Sequence, residues 1–114
     1  MIASWYDRLG RIHLLQSRTN EAIGWLERAR GANPAHPNIR MDLAAAYALE
    51  GDIHRAAAEL AEARRLSRDA RYSSITRLKA AGISSGGYWG VPKIRALFEA
   101  IYFVGLRKAG VPEE

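Results

Sequence analysis

The stretch PNIRMDLAAAYALEGDIHRAAAELAEARRLSRDA, residues 37–70, decides the fold, because residues 3–36 repeat its plan. Leu9, Ala22, Leu26 and Ala29 return as Leu43, Ala56, Leu60 and Ala63, each 34 residues later. Gly10 returns as small Ala44, His13 as Tyr47 and Ser17 as Gly51. Self-similarity at a fixed period of this length marks stacked supersecondary units.

Each block reads as two helices. In the second, Pro37 suits a first helical position, where its missing N–H would be unpaired anyway. The alanine-rich run to Glu50 holds no breaker. Gly51 ends that helix and Asp52 can cap the next. Ile53, Ala56, Ala57, Leu60 and Ala63 then trace an i, i+3, i+4, i+7 stripe, which Arg64 interrupts. In the first block Leu9, Ile12, His13 and Gln16 fall on one face. Thr19 or Asn20 is expected to cap a helix carrying Ala22, Ile23, Leu26 and Ala29, and Asn33-Pro34 closes the block. Gly10, Ala44, Ala22 and Ala56 sit where helices would cross, and small side chains there permit close approach.

This pattern resembles the tetratricopeptide repeat, W-x2-L-G-x2-Y, A-x3-F, P. The first block reads Tyr6-x2-Leu9-Gly10-x2-His13, Ala22-x3-Leu26, Pro34. The second reads Arg40-x2-Leu43-Ala44-x2-Tyr47, Ala56-x3-Leu60, with Arg68 in place of proline. The resemblance implies an all-α, right-handed superhelix with repeats at about 3–36 and 37–70. It further implies a concave surface, lined by the first helix of each repeat, that holds peptides. By that resemblance the lining is Ser4, Asp7, Arg11 and Leu14, then Asn38, Met41, Ala45 and Ala48. Asp7 on the lining and Asp42 beside it disfavour a clamp for a peptide carboxylate.

The repeat fades after residue 70. Asp69 is expected to cap a helix from Ala70 to Ala81, with Tyr72, Ile75 and Leu78 on one face. Residues 82–91 hold four glycines and read as a loop. Pro92 opens a last helix, terminated by Gly110 and Pro112, so that residues 70–110 form a divergent closing hairpin. Ile94, Leu97, Phe98, Ile101 and Tyr102 make its inward stripe. Phe103 and Val104 widen the stripe beyond what closure needs, and so mark a possible contact with a second chain. Tyr88 and Trp89 are read as apolar plugs over the stack or as anchors for a partner.

The tail 102–114 resembles the C-terminal ends of bacterial signalling proteins in which such repeats follow a class III adenylate or guanylate cyclase. It implies that the chain is the C-terminal fragment of a larger protein, and the start inside a helix pattern agrees. None of a cyclase's metal or base-recognising residues can be placed, so no such activity is carried over.

At 114 residues and 12.6 kDa the chain fits one domain, and 48% hydrophobic content argues against global disorder. The absence of cysteine excludes disulfides, thiolate metal sites and a cysteine nucleophile. His13, His36 and His54 show no metal-ligand spacing, and His13 is expected to pack within the first repeat. Glu59 can face Arg55 and Glu62 can face Arg65 along their helix. The glycine-rich loop lacks the Lys-Ser/Thr of a phosphate loop. No enzyme chemistry and no cofactor are therefore expected. The longest apolar run without glycine, residues 43–49, is far short of the about 20 residues a membrane span needs, and no signal peptide is evident, so a cytoplasmic location is the default. The net charge of +5 comes from residues 64–79. There Arg64, Arg65, Arg68 and Arg71 form a basic patch, read as a solvated face or as a site for anions. Nucleic acid is disfavoured without stacking aromatics or a groove-reading helix. The leading expectation is a protein-binding scaffold. Its rivals are self-association through the last helix and anion or nucleic-acid binding through 64–79.

Overall fold

The computed structural model describes residues 2–67, 73–81 and 92–114, with backbone alone at Ala80 and Ala81. All regular structure among them is helical: α1 (Ile2–Leu15), α2 (Thr19–Ala32), α3 (Pro37–Glu50), α4 (Ile53–Leu66) and α5 (Ile75–Ala81). A last helix runs as α6 (Pro92–Leu97), a π-helical turn (Phe98–Tyr102) and α7 (Phe103–Ala109). α1 pairs with α2, α3 with α4, and α2 stacks on α3. This is the all-α hairpin stack that the 34-residue period implies.

The local causes follow the sequence for α3 and α4. Pro37 is the first residue of α3, and His36 Nδ1 accepts from the Asn38 N–H at 3.2 Å, which caps the helix. Gly51 turns left-handed at φ 95°, and Asp52 accepts from the Arg55 N–H at 3.1 Å. α2 departs from expectation. Its N-cap is Arg18 and no side chain caps it, so neither Thr19 nor Asn20 does so. The preceding turn is instead closed by the backbone, the Arg18 N–H bonding the His13 carbonyl at 2.8 Å.

The inward face of α1 also differs. Ala3, Asp7, Gly10 and Leu14 are buried, whereas Ile12 and Gln16 are exposed and Leu9 and His13 are half-buried. Close approach of α2 decides this. A Cβ at Gly10 would lie 2.5 Å from Leu26 Cγ, so α2 presses on the smallest residue of α1. On α4, Ala56, Leu60 and Ala63 are buried as expected, while Ile53 and Ala57 are exposed and Glu59 is buried.

α3 is the central helix. Every residue from Met41 to Ala48 is buried, because α2, α4 and α7 pack around it. α7 comes closest at Gly105, where a Cβ would stand 2.6 Å from the Ala45 carbonyl oxygen. Only a glycine lets the two backbones meet there.

α5 begins at Ile75, later than the expected Ala70. Ser74 caps it, its Oγ accepting from the Arg77 N–H at 3.1 Å. Backbone carbonyls of the tail add to this: Pro112 accepts from the Ile75 N–H at 2.8 Å and Glu113 from the Thr76 N–H at 3.0 Å. The tail thus satisfies donors that a helix start leaves unpaired. Asp69 and Tyr72 lie outside the described residues; Ile75 and Leu78 are buried.

Candidate functional site

The expected concave lining separates into two groups. Leu14, Met41, Ala45 and Ala48 are buried, with no more than 2% of their surface exposed. α7 lies across α3 and the π turn meets α1, so these side chains belong to the core and offer nothing to a ligand. Ser4, Asp7, Arg11 and Asn38 border a cleft of about 430 Å³. Arg8 and His36 complete its polar rim. Ile12, Leu15 and Ile39 form one apolar wall, and Ile94 and Phe98 of the last helix form the other. The closing segment therefore fills one half of the repeat surface and walls the remaining half.

A buried polar cluster lies at the base of this cleft. Arg11 Nη2 donates to Asp7 Oδ2 at 2.8 Å, and Arg11 Nε lies 3.5 Å from Asp42 Oδ2. The Tyr102 hydroxyl donates to Asp42 Oδ1 at 2.6 Å. α1, α3 and the π turn are thus joined by side chains up to 95 positions apart, from Asp7 to Tyr102. Burial, and then the charge of Asp7, push the Asp42 carboxyl well above the usual carboxylate range; Arg11 and the Tyr102 hydroxyl oppose them. Burial and the neighbouring Asp42 likewise push the Tyr102 phenol up.

A second network ties the repeats together. Glu59 Oε1 accepts from Arg30 at 2.5 Å and Oε2 from Arg40 at 3.2 Å; Arg40 Nη2 also donates to the Pro34 carbonyl at 2.9 Å. Glu59 thus pairs across helices and not with Arg55, which meets Asp52 at 3.4 Å. Glu62 does pair with Arg65. Tyr47 donates to Glu27 at 2.5 Å, and burial together with Glu27 pushes its phenol up to about 12. These contacts occupy carboxylates beside the shallow hollow lined by Glu27, Tyr47, Asp52 and Arg55.

The residues of the last helix expected to make a second contact differ in burial. Phe103 is fully buried and Val104 half-buried, while Leu97, assigned inward, is 38% exposed. The π turn is the cause. The Phe103 N–H bonds the Phe98 carbonyl five residues back, so one residue more than usual fits in the turn. The inward face then passes from Phe98 to Tyr102 and Phe103, whose rings lie 5.6 Å apart edge to face. Tyr88 and Trp89 lie outside the described residues, as do Arg68 and Arg71 of the basic patch. Arg64 is exposed, and Arg65 is exposed but engaged by Glu62.

Among the described residues no group of three His, Asp or Glu could hold a metal ion, and no helix is long and apolar enough to cross a membrane. His36 serves as a helix cap. The tetratricopeptide repeat family matches residues 13–81. The chain belongs to that family. No curated protein and no solved structure matches it. Members of the family typically act as non-enzymatic modules that bind proteins or peptides.

Proposed function

We propose that residues 1–114 act as one docking module that holds a peptide, or an extended edge of a neighbouring domain, in the cleft between α1, α3 and α6. The repeats at 3–36 and 37–70 supply one wall and the closing hairpin at about 70–110 supplies the other. No bond chemistry is involved. The observation that carries this reading is the cleft's composition: apolar walls from Ile12, Leu15, Ile39 and Ile94 under a rim of Ser4, Arg8 and Asn38. Apolar walls with a few polar groups suit an inserted side chain whose backbone is met at the rim.

A neighbouring signalling domain, of the nucleotide-cyclase kind, fits the tail resemblance and rests on that resemblance alone. It would place the module beside the enzyme it regulates, in a bacterial cytoplasm.

A random-peptide display selection against the 114-residue chain tests the docking reading. Selected peptides, titrated by calorimetry, should lose roughly tenfold or more in affinity on Ser4→Trp, which fills the cleft from an exposed position, and on Ile94→Glu. Peptides that bind both variants as tightly as the parent would place recognition elsewhere.

A further inference from the structure

The charged residues that border the docking cleft are unevenly committed. Asp7 is its one acidic lining residue, and Arg11 holds it at 2.8 Å while also facing Asp42 at 3.5 Å. Arg8, on the same helix, is exposed and meets no acid among the described residues. α6, which brings Ile94 to the opposite wall, reads PKIRAL, with Lys93 and Arg95 and no acid. Glu99, next along, is taken by Lys79 and lies 3.9 Å from Arg107. The open cleft therefore carries positive charge over apolar walls. One period on, the place of Arg8 belongs to Asp42, and there the last helix supplies the matching group: the Tyr102 hydroxyl donates to Asp42 Oδ1 at 2.6 Å. On α1 the sign is reversed, and no described element supplies an acceptor for Arg8. His36 adds a donor to the rim. Its Nδ1 accepts from the Asn38 N–H at 3.2 Å, which leaves the ring proton on Nε2.

Resting on the docking reading above, we propose that the occupant of this cleft is an acidic peptide, with an internal Asp or Glu side chain on Arg8 and an apolar side chain between Ile12 and Ile94. The spacing follows from α1. Ser4, Arg8, Ile12 and Leu15 run in one line along that helix, and all border the cleft. Arg8 and Ile12, four residues apart, stand roughly 6 Å apart along the axis. Two residues of extended chain cover roughly the same distance, and residues two apart point to the same side. An acid and an apolar residue separated by one position therefore both face α1. A guanidinium can hold a carboxylate through two parallel N–H donors, and a pair at the edge of an apolar cleft is screened less than one on open surface. Ser4 lies beyond Arg8 on the same line, so the chain has lining to follow past the acid. The carboxylate is thus a side chain's and not a terminus.

Peptides from the display selection, resynthesised with acetylated and amidated ends and titrated by calorimetry, test this. Those that Ser4→Trp weakens should carry Asp or Glu two positions from an apolar residue. Replacing that acid by its amide should weaken binding by roughly tenfold, as should Arg8→Glu, and added salt should weaken the parent complex. Arg8 is exposed, so Arg8→Glu should keep the helical circular-dichroism spectrum and Tm. The reversed pair, Arg8→Glu with Lys in place of the peptide acid, should recover most of the loss. Three results overturn this inference and leave docking intact: cleft peptides without an acid, cleft peptides that bind Arg8→Glu as tightly as the parent, or binding only with a free C-terminal carboxylate. If Ser4→Trp weakens no selected peptide, the docking reading falls and this inference falls with it.

Discussion

Ser17 and Gly51 stand one period apart and close the same turn. Ser17 holds φ 63° and Gly51 φ 95°, and each turn carries paired backbone bonds to the helix end. Serine has a Cβ that crowds the carbonyl in that region, whereas glycine does not. Ser17→Gly should therefore stabilise the protein by about 1 kcal/mol, a rise of roughly 4–6 °C in Tm by calorimetry. Asp42 gives a second prediction at this scale. Its folded-state pKa is raised, so the folded chain holds a proton that the unfolded chain releases. Below the ordinary carboxyl value both states are protonated and the stability contributed by Asp42 is fully present. As pH rises from there through the raised folded value, stability falls, by about 1.4 kcal/mol per unit of difference. Asp42→Asn cannot ionise and can still accept from Tyr102. It should flatten the urea-unfolding free energy across that window and exceed the parent at neutral pH. A slope unchanged by the substitution would assign the titration to other groups.

At the scale of elements, the contact of α7 with α3 is the tightest test. Gly105 meets the Ala45 carbonyl and Leu49 with no room for a methyl group. Gly105→Ala should cost about 1–3 kcal/mol through strain, measured as a shift in urea midpoint without change in slope. Leu43 is fully buried in α3, and Leu43→Ala should cost about 2–5 kcal/mol in the same assay. Helix order, the Pro37 start and Gly51 end of α3, the Asp52 cap of α4 and the small crossing residues were legible because they are local or repeat at one fixed spacing. The inner face of α1 was not. It is built from Ala3, Asp7, Gly10 and Leu14, so contact depends on size and pairing, and an apolar period through Leu9 and Ile12 points elsewhere. The π turn was hidden for a different reason. Phe98, Ile101, Tyr102, Phe103 and Val104 are apolar enough to permit either phase, and packing on α3 chooses one.

For the whole molecule, the repeat surface and the closing helix have to be considered together. The family resemblance located the lining helices, and half of the expected lining became core because a later segment of the same chain covers it. Nothing in residues 37–70 announces that cover; it arises from Gly105 and from the Tyr102–Asp42 bond, 60 residues apart. The site left open is the cleft between Ser4, Asn38 and Ile94, whose two walls come from opposite ends of the chain. The most direct test is a carbon-edited NOE spectrum of the uniformly labelled protein. Cross-peaks from the Gly105 α-protons to the Ala45 and Leu49 side chains are the result expected. Their absence, with the Met41 and Ala48 methyls showing contacts to water in place of the last helix, would contradict the account.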